Sequence, residues 1–249
     1  MPVAYKAMCS VIQGRLRHVV EERNLVAEEQ GGFRKGRGCR DQLLTLVLLG
    51  QVKAVTKRGM LAGFIDFKKA YDRVDRGKLW GCLEKMGIRG RVTAFLKAVY
   101  LDVSCEVKVG EECSEPFGVS CCLIQGCILS PLLFSLYVYR LKEAEVGVKC
   151  GSQVILVLLY ADDAVILVED EKSMRQGLDI LGEWCSDWAV EINVEKCGVM
   201  YVRRKGVRRT EEKFYVGGDE VKVVEEYKYL GCVVNEHLYT ECENGRGEG

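Results

Sequence analysis

Three aspartates are the residues of this sequence best suited to chemistry: Asp66, Asp162 and Asp163. Asp66 follows an apolar run that begins at Leu61, and the adjacent pair lies between two aliphatic runs. Such runs predict buried strands, so the acids are expected where strands end or turn. Carboxylates that converge from neighbouring strands can hold two divalent cations about 3.5–4 Å apart, as metal-assisted phosphoryl transfer requires.

An Asp-Asp pair also has a simpler explanation, because such pairs more often form a turn or cap a helix. The hydrophobic runs around Asp162 and Asp163 favour the metal-binding interpretation. These runs draw the carboxylates towards the core, where an unpaired charge is costly and a bound cation would offset that cost.

The residue pattern predicts the elements that must position these acids. Helices are expected near residues 5–26, 41–57, 79–86, 92–100, 130–145 and 174–188. Strands are expected near residues 61–67, 105–109, 117–120, 154–159, 164–168, 199–202, 213–216, 220–224 and 227–234. Ser130 followed by Pro131 is a favourable helix start, because the hydroxyl can cap free amides. Irregular alternation without a Gly-x-Gly-x-x-Gly motif favours an antiparallel sheet backed by helices.

Six segments resemble, in the same order, the motifs of reverse transcriptases, and two of them carry the three aspartates. Phe-Ile-Asp-Phe-Lys-Lys-Ala-Tyr-Asp at 64–72 resembles the first catalytic motif, and Tyr-Ala-Asp-Asp at 160–163 resembles the YxDD box. The other four resemble a QxGFRxGR element, a QG…LSPLLF segment, an IN..K element and a YLG segment, at 30–38, 125–134, 192–196 and 227–231. The first of these four is similar to an element of non-LTR (LINE-like) retrotransposons. The resemblance covers roughly residues 5 to 235.

The resemblance implies an α+β fold, namely a polymerase palm with a partial, mostly helical fingers region and no thumb. We expect partial fingers over residues 1–60 and the palm over residues 61–235, with fingers-like helices at about 78–100. The polar, glycine-rich tail at 236–249 is expected to fray.

Metal-binding and catalytic roles also follow from the resemblance. Asp66 and Asp162 would bind two magnesium ions, Asp163 would complete the acidic cluster, and the backbone of Phe67 would help to hold a metal. One ion would activate a primer 3′-hydroxyl, and the other would steady the triphosphate. Lys196 is placed to protonate or steady the leaving pyrophosphate, although a lone lysine after a strand is as often simply solvated.

The resemblance further implies contacts with the nucleotide. Tyr71 is at the position of a steric gate, an aromatic ring that would clash with a ribose 2′-hydroxyl; the alternative is a core tyrosine. Gln125 would touch the incoming nucleotide, and Gly126 would let the backbone approach it. Arg34 and Arg37, in a glycine-rich turn, would reach phosphates of the template or nucleotide.

The primer grip would be formed by Tyr229, Leu230 and Gly231. A denser basic cluster at 203–209 is more simply interpreted as an exposed loop. Two departures from the family pattern are Ile124, where an arginine is usual, and Cys122, where a glycine is common. Loss of the arginine is expected to weaken template contact.

The charge balance argues for a piece of a longer protein. The 36 basic residues are matched by 36 acidic ones, so the strongly basic surface of a self-sufficient nucleic-acid binder is missing. The missing fingers, thumb and endonuclease regions of a longer polyprotein would supply much of that surface.

Cysteine usage and hydropathy suggest the setting. The 13 cysteines include no Cys-x-x-Cys pair and there are two histidines, which argues against a structural zinc site. Without a secretory signal, we expect an intracellular, reducing location, nuclear or cytoplasmic, with the thiols as small buried hydrophobes. Residues 116–139 carry no charge, but Gly118, Gly126 and Pro131 interrupt the run, so no membrane contact is expected.

The expected function is RNA-directed DNA polymerisation, with an RNA template, a DNA primer, deoxynucleoside triphosphates and two Mg²⁺ ions. One alternative is a catalytically inactive, truncated retroelement relic that at most binds nucleic acid. A nucleotide cyclase built on a similar palm sheet is a third, lower-ranked class. Primer extension, salt-sensitive binding without incorporation, and cyclic-nucleotide production would distinguish the three.

Overall fold

A computed structural model describes most of the chain. The described residues are 3–26, 30–32, 34, 36–55, 59–101, 103–119, 121–139, 148–150, 153–155, 157–202 and 212–242. The helices are α1 (Val3–Glu22), α2 (Cys39–Val55), α3 (Arg76–Lys85), α4 (Arg91–Val99), α5 (Ser130–Tyr137) and α6 (Glu171–Trp188). The strands are β1 (Met60–Lys68), β2 (Ser104–Cys105), β3 (Lys108–Val109), β4 (Glu112–Cys113), β5 (Phe117–Gly118), β6 (Val148–Cys150), β7 (Gln153–Ile155), β8 (Val157–Tyr160), β9 (Asp163–Val168), β10 (Glu191–Ile192), β11 (Gly198–Val202), β12 (Phe214–Val216), β13 (Asp219–Val221), β14 (Val223–Val224), β15 (Glu226–Tyr229), β16 (Cys232–Asn235) and β17 (Thr240–Cys242).

The chain forms two compact units. The first unit comprises Met1–Val26, Lys69–Tyr139 and Trp188–Val190, and the second comprises Ala27–Lys68, Arg140–Asp187 and Glu191–Gly249. The division into partial fingers, palm and tail is a division by family role, and it stays a prediction.

The second unit is built on a sheet with the strand order β14-β11-β1-β9-β8, to which β10 is added beside β1. All of its pairings are antiparallel except that of β11 with β14. The central strand β1 is buried from Met60 to Ile65, which explains why its sequence is an unbroken apolar run. The expected α+β architecture with an antiparallel sheet is confirmed.

Helices cover both faces of this sheet. On one face, Leu46 and Leu49 of α2 belong to the same buried cluster as Phe64 of β1. On the other face, α6 lies so close to Gly63 that a β-carbon there would meet the Met174 sulphur at 3.0 Å. Because side chains alternate along a strand, Asp66 lies on the same face as Phe64.

The first unit is mainly helical, and one buried arginine ties its segments together. The guanidinium of Arg76, at the start of α3, donates to the carbonyl oxygens of Tyr100 (3.0 Å), Val119 (2.7 Å) and Cys122 (3.0 Å). It also lies 5.1 Å from the centre of the Tyr100 ring, a cation–π distance. A small hairpin pairs β3 with β4, and β2 pairs with β5.

Several predicted elements need correction. The predicted strand at 227–234 is two strands, β15 and β16, joined by a turn at Leu230 and Gly231. Ser130 does not cap α5; its hydroxyl donates to the Ile124 carbonyl (2.7 Å) and pairs with the Tyr100 hydroxyl (3.2 Å). The helix α5 ends at Tyr137, and residues 140–145 of its predicted extension lie outside the described residues.

The C-terminal segment and the thiols also differ from expectation. The predicted tail at 236–249 contains β17, which pairs with β16, and residues 243–249 lie outside the described residues. Several thiols are buried as expected, but Cys105, Cys113 and Cys121 are exposed and Cys232 is disulfide-bonded.

In the part of the chain that the structure describes, no helix has the length and apolarity needed to cross a bilayer.

Candidate active site

Asp66 and Asp163 face each other on two neighbouring inner strands of the sheet of the second unit, near one end of both strands. In the antiparallel register of β1 and β9 their Cα atoms are direct partners. Tyr160 pairs in turn with Asp163 across the β8–β9 hairpin, which leaves Ala161 and Asp162 as the turn. The sequence placed both acids on the turn, whereas Asp163 is the first residue of the strand. All three carboxylates nevertheless lie at one end of adjacent strands.

The turn itself is strained. Ala161 has a φ of 58°, in the left-handed region that glycine usually occupies in a two-residue hairpin turn. An alanine adopts this conformation only when the surrounding structure holds it there.

The acids are electrostatically coupled. The pKa of Asp163 is raised from 3.8 to about 6, first by burial, then by the charge of Asp162 and then by that of Asp66. A divalent cation would offset this repulsion, and carboxylate oxygens are the ligands that hard cations such as Mg²⁺ prefer. Across the described ranges, no group of three or more histidine, cysteine or acidic side chains is already arranged to hold a metal. The donor chemistry and the charge therefore fit a divalent cation, while a complete ligand set is not preformed.

The backbone of Asp66 is held by the segment that follows β10. The Asp66 carbonyl accepts from the amide of Asn193 (2.8 Å), and the Asp66 amide donates to the sulphur of Cys197 (3.4 Å). Burial raises the pKa of the Cys197 thiol to about 11, so the sulphur remains protonated at neutral pH. Between these two residues lies a 3₁₀ turn, Val194–Lys196, which places Lys196 beside the end of β1 with its side chain exposed.

Phe67 and the YLG segment occupy different surroundings. The ring of Phe67 is buried and lies 6.2 Å from the ring of Trp184, so only its backbone is available to a ligand. Leu230 and Gly231 form the β15–β16 turn, with φ values of 50° and 79°. Tyr229 is buried beside this turn, 5.7 Å from the ring of Phe64.

A second aromatic contact links this hairpin to β1. The rings of Tyr227 and Phe64 are stacked, with centroids 4.2 Å apart and planes inclined by 9°. The Tyr227 hydroxyl donates to the Lys196 carbonyl (2.8 Å). The hairpin, the lysine turn and the strand that carries Asp66 therefore form one connected structure.

The upstream glycine-rich element contacts the acidic turn, which sequence reasoning did not anticipate. The Gly31 amide donates to the Leu159 carbonyl (2.8 Å), at the end of β8. A β-carbon on Gly32 would lie 2.3 Å from the Ala161 nitrogen. The Gln30 side-chain oxygen accepts from the amides of Gly32 (2.8 Å) and Ala161 (3.3 Å). The adjacent glycines were the only sequence signal of this close approach.

Arg34 and Arg37 follow this element. Arg34 is half-buried and Arg37 is exposed, and the Arg37 amide donates to the Arg34 carbonyl (3.4 Å). Phe33 and Lys35 lie outside the described residues, as does the basic cluster at 203–209.

The remaining predicted residues belong to the first unit. The Tyr71 ring stacks on Phe134 with centroids 4.9 Å apart. The side-chain amide of Gln125 donates to a carboxylate oxygen of Asp72 (3.1 Å). Gly126 has a φ of 76° and no heavy atom within 4 Å of the position that a β-carbon would occupy, so its surface is open.

The two departures from the family pattern lie beside Gln125. Cys122 has a φ of 81°, so a side chain occupies a left-handed position that favours glycine. Ile124 is half-buried, and its carbonyl accepts from the hydroxyl of Ser130.

Comparison with known proteins identifies similar chains. The profile of a family described as "Reverse transcriptase (RNA-dependent DNA polymerase)" matches residues 1–234. The chain is 26% identical to the Pol polyprotein of the type-2 retrotransposable element R2DM of Drosophila melanogaster, over 81% of this chain and 20% of the relative. It is 24% identical to the RNA-directed DNA polymerase of the mobile element jockey of the same organism, over 96% of this chain and 26% of the relative.

Solved structures support the fold. The chain resembles telomerase from Candida albicans and from Candida tropicalis, each in complex with a TWJ fragment of telomeric RNA, with TM-scores of 0.61 and 0.64. Sequence identities are 15% and 13%, and the match covers 96% of this chain and 37% of each telomerase chain. At this identity the likeness concerns the fold alone, and it confirms the predicted polymerase palm.

Proposed function

Since the chain belongs to the reverse transcriptase (RNA-dependent DNA polymerase) family, we propose that it adds deoxynucleotides to the 3′-hydroxyl of a DNA primer on an RNA template. It spans 20% and 26% of the length of two curated relatives, so fingers, thumb and endonuclease regions of a longer polyprotein are proposed as its complement. An intracellular location, nuclear or cytoplasmic, belongs to the same proposal.

The observation that carries this proposal is the pairing of Asp66 with Asp163, next to Asp162, at one end of β1 and β9. Family membership implies dependence on a divalent metal, and two Mg²⁺ ions are proposed to bind these carboxylates with help from the Phe67 backbone. When bound, the metal supplies Lewis-acid activation of the attacking hydroxyl and neutralises triphosphate charge.

Other side chains would select and bind the nucleotide and assist departure of the pyrophosphate. Tyr71 would exclude a ribose 2′-hydroxyl, since its stacked ring is fixed by Phe134. Gln125, oriented by Asp72, and the open backbone at Gly126 would receive the nucleotide. Lys196 would donate a proton to the leaving pyrophosphate or stabilise its charge.

Two further sets of residues would contact phosphate groups and the DNA primer. Arg34 and Arg37 would contact phosphate groups. Tyr229, Leu230 and Gly231 would hold the primer end, because their hairpin is tied to β1 through the stacked rings of Tyr227 and Phe64.

The test is primer extension with an RNA template, a DNA primer, dNTPs and Mg²⁺. We expect extension that Asp162→Asn abolishes, whereas Asp179→Asn, at an exposed position of α6, retains it. If a folded chain extends no primer–template under any condition, the active-polymerase proposal is wrong. Salt-sensitive binding to the hybrid without incorporation would then identify the second candidate, an inactive relic that at most binds nucleic acid.

A further inference from the structure

The upstream segment Gln30–Gly32 contacts the turn formed by Ala161 and Asp162 through hydrogen bonds of the Gln30 side chain. The Gln30 side-chain oxygen accepts two backbone hydrogen bonds, from Gly32 at 2.8 Å and from Ala161 at 3.3 Å. Gln30 is 1% exposed, so the contact is shielded from water. Both neighbours are donors, which fixes the orientation of the amide, because the opposite orientation would place its NH₂ group against them.

The residue that receives this contact is under strain. Ala161 is the left-handed first residue of the turn, and Asp162 and Asp163 follow it directly. A hydrogen bond to the Ala161 amide opposes relaxation of this turn, and relaxation would redirect both carboxylates.

The rest of the segment reinforces the contact. Gln30 forms a parallel bridge with Leu159, and the Gly31 amide donates to the Leu159 carbonyl. The strand β8 is at the edge of its sheet, so the segment Gln30–Gly32 covers an edge that would otherwise be unpaired at this point. Gly32 permits the approach, since any β-carbon would overlap the backbone of Ala161.

We propose that Gln30 is a positioning residue that holds Ala161 in its left-handed conformation and so orients Asp162 and Asp163 for divalent-metal binding. The metal-binding consequence rests on the proposed function, whereas the contact with Ala161 does not. Gln30 itself touches neither the metal nor the substrate; it acts through the backbone of the turn. The NH₂ group of Gln30 is buried and has no hydrogen-bond partner among the described residues, so the oxygen is the part of this amide that makes hydrogen bonds.

The first arm of the test is amide hydrogen exchange on the full chain without metal. Gln30→Met keeps the volume and removes the acceptor, so exchange at Ala161 and Gly32 should accelerate about tenfold, as expected for loss of one hydrogen bond. Gln30→Glu retains a side-chain oxygen and should preserve the protection. Leu49→Ala, a core change in α2, is the control for general destabilisation and should not act selectively at Ala161.

The second arm is Mg²⁺ binding, measured by calorimetric titration. Gln30→Met should raise the half-saturating Mg²⁺ concentration about tenfold, while Gln51→Met, the same change at an exposed position, should leave it unaltered. Unchanged exchange at Ala161, or faster exchange with unchanged Mg²⁺ affinity, would overturn the proposal. If Asp66→Asn leaves Mg²⁺ affinity unchanged, the proposed metal site fails instead, and the exchange arm still reports on Gln30.

Discussion

Asp66 and Asp163 are direct cross-strand partners in the antiparallel register of β1 and β9. Like charges placed directly opposite each other destabilise a sheet, so a structural explanation for this pair is unfavourable. The same arrangement is useful if a cation binds between the strands. At this position, repulsion between the two carboxylates lowers the stability of the fold, whereas the proposed metal binding needs both of them. Measurements of unfolding free energy can test this conflict.

Asp163→Asn should stabilise the metal-free chain above about pH 6. The raised pKa of Asp163 means that, between about pH 4 and pH 6, the folded chain retains a proton that the unfolded chain has released. Wild-type stability should therefore fall as pH rises through this window. The variant cannot titrate at this position, so at about pH 8 it should be more stable by about 1 kcal/mol, a discounted value because the carboxyl is partly exposed.

Urea unfolding of both proteins across this pH range, in a chelating buffer, measures the difference. Asp179→Asn, on an exposed turn of α6, is the control and should follow the wild-type curve. Identical pH dependence in wild type and Asp163→Asn would contradict the coupling.

Removal of the Asp72 carboxylate should weaken nucleotide binding without slowing the chemical step. Asp72 accepts the hydrogen bond that orients the Gln125 side chain. Asp72→Ala should raise the KM for dNTPs by about 3- to 10-fold with little change in kcat, as expected for loss of one partly exposed hydrogen bond. In a double-mutant cycle, Asp72→Ala should add almost nothing to Gln125→Ala. Fully additive effects would show that the two residues act separately.

Cys122→Gly should stabilise the first unit. A cysteine at a φ of 81° carries backbone strain that glycine relieves, and about 1 kcal/mol is expected. The Cys122 sulphur accepts a long contact from Arg76 (3.6 Å), which reduces the gain slightly. Cys121→Gly, next to it but without a positive φ, should instead lose up to about 1 kcal/mol. Thermal unfolding of both variants checks the prediction, and equal losses would refute it.

Gly32→Ala should destabilise the second unit by about 2 kcal/mol. Its β-carbon would lie 2.3 Å from the nitrogen of Ala161, and the obstructing atoms belong to the backbone, which has little room to shift. Gly14→Ala is the matched control, because it lies in α1 with nothing within 4 Å and should gain about 0.5–1 kcal/mol. Chemical denaturation distinguishes the two, and a stable Gly32→Ala would mean that the segment does not approach the turn so closely.

The meeting of the acids could be predicted because it depends on local pattern. Buried aliphatic runs before Asp66 and on both sides of Asp162 and Asp163 predict strands, and the four residues between the runs at 154–159 and 164–168 predict a turn that carries the acidic pair. The side-chain partnership of Gln30 with Ala161 spans 131 positions, and no periodicity reports such a contact. Only the neighbouring glycines indicated that two backbones come close.

Two of the predictions that the structure corrects failed for physical reasons that propensity does not capture. The segment 227–234 has strand-forming residues on both sides of Leu230, so the alternation conceals the turn, which depends on left-handed backbone at Leu230 and Gly231. Ser130 has the sequence context of a cap, but its hydroxyl is buried and satisfied by Ile124 and Tyr100. Tertiary contacts decide such cases, and sequence propensity does not include them.

The aromatic hairpin has a practical consequence for making this protein. Tyr229 and Val234 complete the same buried cluster as Phe64 and Leu46, which are separated from them by more than half of the chain. A shortened chain that stops after β11 would lack Tyr229 and Val234 and would leave Phe64 and Leu46 exposed to solvent. Recombinant fragments should therefore extend beyond Asn235, and shorter ones are expected in inclusion bodies even though they contain Asp66, Asp162 and Asp163.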